Sequence, residues 1–291
     1  MKTIGFLNSA SKKNFKAFSE AFRQGLQDAG YAAPGDVKII ERWAEGDYHR
    51  LPKLAKELIN SNVDVIATTG GTVAAHAAMK ATKKHPILFV SGYHAKKAGL
   101  VKRGGNATGL SMHTTESLPK RLAAVRQMVP GAKKVAILLR PSKAFVYARE
   151  KEHAKKAKLV VVEARTDKEL GKAFASAVKQ GAGALIVCAD PHFTTHRKKI
   201  VALAAAHKLP TAYPWREYVH DGGLMSFGPS LTDAYRQVGQ YAGEILNGSK
   251  PHTLRVHMKK VSDFELVVNA KTARALGLAV PQKLSARGEL V

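Results

Sequence analysis

The stretch of the 291-residue chain best suited to holding a ligand is Thr68-Thr-Gly-Gly-Thr72. Two successive glycines let a ligand approach the backbone, and a helix starting there offers unbonded N–H groups to a carboxylate or phosphate. The same glycines can equally serve to turn the chain, with Thr72 as the helix cap, and the two readings are compatible. Tyr213-Pro-Trp-Arg216 sets two aromatics and a guanidinium at one strand end, a combination suited to stacking on a flat ligand and pairing its carboxylate; burial of Trp215 beneath a hinge is the alternative. Asp190-Pro-His-Phe193 offers a carboxylate to an ammonium or hydroxyl, or an ordinary helix cap. His192 and His196 stand four apart, a spacing metal ligands use, but no third ligand follows and they read as solvent-exposed. Cys188, the single cysteine, ends the apolar run from Ala184 and reads as a buried thiol.

Catalytic signatures are missing. The sequence has no G-x-x-x-x-G-K-[ST], G-x-G-x-x-G or G-x-S-x-G and no metal-ligand cluster, and its acidic residues are scattered. The expectation is a binding protein without cofactor or metal, not an enzyme.

The elements that must position these residues follow from hydrophobic periodicity. Short apolar runs at 3–7, 37–40, 63–67 and 86–90 alternate with helical segments near 15–29, 51–61 and 73–83. These strands are too apolar to have a wet face, which predicts a parallel sheet covered on both sides. The pattern restarts with a helix at 118–128 and strands at 135–139, 159–162, 184–187 and 210–213, with Gly30, Gly131 and Gly181 marking helix ends. A later amphipathic helix (231–246), a strand (264–269) and a short helix are too few for a third domain. They must pack on the existing sheets, so the chain crosses between two α/β lobes more than once through hinge strands. In open α/β sheets ligands bind beyond the carboxyl ends of strands, at Asn8-Ser9, 68–72, Ser91-Gly92, 140–142, 190–193 and 213–216.

The 47 Lys and Arg against 22 Asp and Glu give a formal charge of +25. The basic residues are spread out and lack interleaved aromatics, which reads as a solvated basic surface and not a nucleic-acid groove. No run is long and apolar enough for a transmembrane helix, and the first strand is expected to begin at Lys2 with no signal peptide ahead of it. A cytoplasmic protein, a mature form restarted at Met1 and a misplaced start codon all remain open.

Three segments carry a resemblance: Arg42-Trp-Ala-Glu-Gly-Asp-Tyr-His-Arg-Leu-Pro52, Gly104-Gly-Asn-Ala-Thr-Gly109, and the run from Gly222 through Phe227 to Gln237. With Asp64-Val-Ile-Ala-Thr-Thr-Gly-Gly71, Glu163-Ala-Arg-Thr166 and the stretch 264–278, the chain resembles the ABC-transporter substrate-binding family, in its tryptophan-receptor-like branch. The resemblance runs from about Ile4 to Gly277. It implies a type I periplasmic-binding fold of two doubly wound parallel-sheet lobes, residues 1–112 plus 227–250 and 113–226 plus 251–291, joined by a multi-strand hinge. It also implies a small molecule (amino acid, aromatic carboxylate or other organic acid) bound in the interlobe cleft by closure, an ABC permease as partner, a periplasmic location and a monomer.

Residues matching the family's cleft-facing motifs are Ser9, Thr69, Gly70, Gly71, Thr72, Ser91, Asp190, Tyr213 and Ser226; Gly92, Ser142 and Trp215 join them from the strand-end rule. Where relatives carry Asp-Pro after the fourth strand, this chain reads Ser91-Gly-Tyr-His-Ala-Lys-Lys97. Loss of that carboxylate beside His94, Lys96 and Lys97 favours an anionic ligand by Coulomb attraction. The competing reading is a ligand-sensing effector module that signals to a protein partner.

Overall fold

A computed structural model describes residues 1–33, 35–142 and 145–291. In chain order the first stretch runs β1 (Lys2–Asn8), α1 (Lys16–Asp28), β2 (Val37–Trp43), α2 (Leu51–Asn60), β3 (Val65–Thr68), α3 (Gly71–Ala81), β4 (Ile87–Ser91) and β5 (Ala107–Ser111). The second runs α4 (Leu118–Met128), β6 (Val135–Leu139), α5 (Phe145–Lys156), β7 (Val160–Glu163), α6 (Leu170–Lys179), β8 (Ala184–Val187), α7 (Pro191–Thr195), α8 (Arg197–Ala206), β9 (Thr211–Tyr213), α9 (Arg216–His220) and β10 (Met225–Gly228). Then come α10 (Leu231–Leu246), β11 (His257–Met258), β12 (Glu265–Val268), α11 (Ala270–Ala275), α12 (Gln282–Ser285) and β13 (Glu289–Leu290).

The chain divides into two compact units, residues 1–113 with 231–259 and residues 114–230 with 260–291. It therefore passes between them at 113/114, 230/231 and 259/260. All three borders differ from the sequence expectation, the first by a single residue. β11 pairs in parallel with β5, which draws 251–259 into the first unit, and β10 pairs with β9, which keeps 227–230 in the second.

The first sheet has the order β11-β5-β4-β3-β1-β2 and is parallel throughout. β3, β4 and β5 are buried along their whole length, as a sheet covered on both faces requires. The second sheet has the order β13-β12-β10-β9-β8-β6-β7 and is mixed, because β12 runs antiparallel to β10. The doubly wound parallel plan otherwise holds in this sheet, and β12 adds a single antiparallel pairing to it. β12 enters the sheet after the chain has left this unit and returned, so no crossover helix forces it parallel to β10.

In the first unit α1 and α10 lie against each other at Gly25 and Gly239. A Cβ on Gly25 would stand 1.8 Å from the Arg236 carbonyl oxygen, and one on Gly239 would stand 2.1 Å from that of Phe22. The two helix backbones are thus close enough that neither position has room for a methyl group. Bidentate pairing of Arg236 with Asp28, at 2.6 and 3.1 Å, fixes the rim of this contact.

Gly30 and Gly181 take the left-handed conformation expected past a helix end, but Gly131 does not. Pro130 follows directly on the Val129 cap, so α4 stops without a left-handed residue.

Candidate functional site

In each unit the strand order reverses beside the first strand. β1 has β2 on one side and β3 on the other, and β6 likewise sits between β7 and β8. The loops leaving β1 and β3, and those leaving β6 and β8, therefore diverge at the carboxyl edge and open a crevice there. The sequence-predicted residues fall at these two edges.

In the first unit the structure brings together Ser9, Thr69, Gly70, Gly71, Thr72, Ser91 and Gly92. Gly70 is required by proximity, since a Cβ there would lie 2.1 Å from the Ser9 nitrogen. Gly71 opens α3 at φ 77°, a backbone conformation that other residues adopt only under strain. Ser9 Oγ donates to the Gly70 carbonyl at 2.6 Å and closes the loop. Gly70 holds the cap position without a side-chain hydrogen bond, which corrects the reading of Thr72 as the cap. The N–H groups of Gly71, Thr72 and Val73 in the first turn have no intrahelical acceptor.

The Ser91 hydroxyl donates to the Tyr93 carbonyl at 2.8 Å, so across the 3.0 Å contact with Thr72 it is Thr72 that donates. Thr72, half-buried, keeps its own lone pairs for a donor from outside. Sequence reasoning did not foresee the support behind this edge. Asn8 Nδ2 donates to Thr69 Oγ1 and to Tyr235 Oη, both at 3.0 Å, and Tyr235 Oη donates to the Thr69 carbonyl at 2.8 Å. Asn8 and Tyr235 are fully buried, and burial pushes the phenol up from its ordinary range, so the network stays neutral. Beyond Ser91 the same loop carries His94, half-buried edge-on to His113 at 5.4 Å, and the exposed Lys96 and Lys97.

In the second unit Ser142, Asp190, Tyr213 and Trp215 lie at the carboxyl ends of β6, β8 and β9, whereas Ser226 is the second of the four residues of β10 and is buried. Asp190 Oδ1 accepts from the His192 N–H at 2.8 Å, so the capping reading of Asp190 is realised, and its side chain remains half-buried. Thr194 Oγ1 donates to the Asp190 carbonyl at 3.1 Å and accepts from Trp215 Nε1 at 3.2 Å, which ties the β8 and β9 loops together. Tyr213 is fully buried and stacks on Tyr218 with ring centroids 4.7 Å apart, so its ring is part of the core. Ser226 pairs in register with Tyr213. Arg216 bonds Glu265 at 3.2 Å and Glu289 at 2.6 Å, so its guanidinium already has carboxylate partners.

His192 is buried against the His196 ring at 4.4 Å, a correction to its reading as exposed. Burial, with His196 and Arg140 nearby, pushes its imidazole down to about 4. Among the described residues no group of three or more His, Cys, Asp or Glu is arranged to hold a metal ion. Cys188 is buried, and burial raises its thiol well above the ordinary range.

Beneath Asp190 lies a pair of buried ionisable groups that no sequence pattern marked. Arg121, 2% exposed, donates from Nε to the Phe227 carbonyl at 3.1 Å and reaches Ser117 Oγ at 3.5 Å. Burial brings its guanidinium down to about 10. Glu150 is raised to about 8, first by burial and then by the charge of Asp190, against the pull of Arg121.

Two open α/β sheets, each with a strand-order reversal at its carboxyl edge, define the type I periplasmic-binding-protein class of fold. The model of the family described as "ABC transporter substrate binding protein" matches residues 4–291, and the chain belongs to that family. It is similar to a conserved domain protein of Vibrio cholerae at 22% identity and a TM-score of 0.86, over 99% of each chain. It is similar to a Streptococcus pneumonia ABC domain in complex with L-Trp at 23% identity and a TM-score of 0.86, over 100% of this chain and 99% of that one. A Clostridium difficile substrate-binding protein with adhesive properties, in its ligand-free open form, matches at 25% identity and a TM-score of 0.67, over 100% and 99%. No curated protein matches the chain. As a member of this family the protein is a non-catalytic solute receptor of the ABC-importer type.

Proposed function

We propose that the protein delivers a small carboxylate-bearing molecule, an amino acid, aromatic carboxylate or other organic acid, to an ABC permease. The ligand is held by the two carboxyl edges, on closure of one lobe over the other. The observation that carries this reading is the start of α3, where the Gly71–Val73 N–H groups and the Thr72 hydroxyl stand beside Ser91, on a neutral scaffold locked by Asn8 and Tyr235. Lys96 and Lys97 add positive charge in the loop after Ser91, which favours an anion. Asp190 is placed to take an ammonium or hydroxyl. The protein acts as a monomer on the outer side of the cytoplasmic membrane, in keeping with its family.

A thermal-shift screen against L-tryptophan, other amino acids, aromatic carboxylates and small organic acids tests the reading. A ligand at about 100 times its Kd stabilises by about 2.7 kcal/mol. A panel without a shift, on protein shown to be folded, would count against it.

A further inference from the structure

At the opposite end of the same first sheet lies a cavity of about 710 Å³ with no part in the site described above. It spans the amino ends of β1, β3, β4 and β5 and the carboxyl ends of α3 and α10. With a rise of roughly 3.3 Å per residue, β1 sets it about 23 Å from Ser9 and β4 about 17 Å from Ser91. Six exposed cations line it: Lys2, Lys83, Lys84, Lys102, Arg103 and Lys250. They are 6 of its 20 lining residues, against 47 Lys and Arg in 291 overall, so the cavity is nearly twice as basic as the chain.

Its one acidic residue, Asp64, is engaged, with Oδ2 accepting the Thr3 N–H at 2.7 Å. Among the described residues none of the six cations makes an ion pair. Helix dipoles account for part of the cluster, since Lys83, Lys84 and Lys250 follow the negative ends of α3 and α10. They do not account for Lys2 on a strand or for Lys102 and Arg103 in the loop before β5. Like charges gathered around one hollow repel one another unless an anion occupies it.

We propose that this cavity binds a multiply charged phosphate-bearing anion. A monocarboxylate supplies too little charge to match six cations, and the volume falls in the range of small-molecule sites, roughly 300–1,000 Å³. The floor, formed in part by Met79, Leu100 and Ile245, is apolar, so the organic part of a phosphate ester finds a dry surface beneath a cationic rim.

The test is calorimetric titration with inorganic tripolyphosphate at physiological salt, on the full chain. Saturable one-to-one binding is expected, weakened at least about tenfold in Lys84→Glu/Arg103→Glu, because two charge-assisted contacts are lost. Lys155→Glu/Lys179→Glu makes the same charge change on exposed positions of the second unit and is expected to bind as the unaltered protein does. Equal weakening in both variants would reduce the effect to diffuse surface charge and overturn the site. A parallel arm sediments the protein with phosphatidylglycerol or phosphatidylcholine vesicles. Capture by phosphatidylglycerol alone, lost only in the Lys84/Arg103 variant, supports the site with a lipid headgroup as the phosphate source; tripolyphosphate binding supports it with a soluble one. Binding to neither probe overturns the proposal.

Discussion

The two carboxyl edges solve the same problem with different chemistry. The first unit holds its edge with neutral groups, an amide, hydroxyls and a phenol, each with a partner of matched geometry. The second unit holds its edge over buried ionisable groups, Arg121, Glu150 and His192, which burial displaces to about 10, 8 and 4. A neutral network is rigid and indifferent to pH, whereas burial of titratable groups couples local stability to proton concentration.

The comparison breaks first at Arg121. Arg121→Met leaves the Phe227 carbonyl and Ser117 without their donor and removes the charge facing Glu150, at an expected cost of about 3 kcal/mol in urea unfolding. A cost within experimental error would mean that the second edge does not depend on this buried cation. In the first unit Asn8→Ala strips a buried donor from both Thr69 and Tyr235 and is expected to cost about 1–3 kcal/mol, equally at every pH between 5 and 8.

The pH dependence of Glu150 sharpens the contrast. An unfolded carboxyl loses its proton near 4.5, and Glu150 in the fold keeps it until about 8. The native state thus holds the extra proton across that window, and this contribution to stability declines as pH rises from 4.5 to 8. His192 has the opposite sign. Its imidazole stays neutral down to about 4, below the usual 6.5, so its contribution is lost as pH falls through that interval. Thermal melting of Glu150→Gln should lose the decline on the alkaline side and keep the one on the acid side; an unchanged alkaline slope would refute the assignment to Glu150. The smallest expected effect on stability is that of Thr72→Val, within about 0.5 kcal/mol, although ligand affinity should fall about tenfold. Unchanged affinity, measured by calorimetry, would remove Thr72 from the site.

Where periodicity is strong the sequence announces the fold. The apolar runs at β1, β3, β4, β6 and β8 are legible because a strand covered on both faces admits few polar residues. β11 and β13, two residues each, leave no periodic trace, and the antiparallel setting of β12 depends on the chain returning from the other unit. The glycines at 70 and 71 mark the first edge by composition. Tyr235 is 166 residues from its carbonyl partner Thr69, and nothing local signals such a pairing. No local pattern marks Arg121 and Glu150 on helices α4 and α5, and only the packing of those helices buries them. The aromatics at 213 and 215 are evident as a pair, but exposure decides their role, and the first belongs to the core.

The placement of α10 bears on how the molecule is made. The helix seals the first unit through Gly239 and Tyr235, yet it is encoded after every strand of the second unit up to β10. During synthesis the N-terminal unit therefore waits, with Phe18 of α1 lacking the Tyr235 ring it packs against, until α10 has been made. Domains encoded in one stretch can fold in the order they emerge. Here the segment translated first is among the last to be completed, and a nascent chain halted before residue 231 should remain open to proteases and chaperones across its N-terminal third.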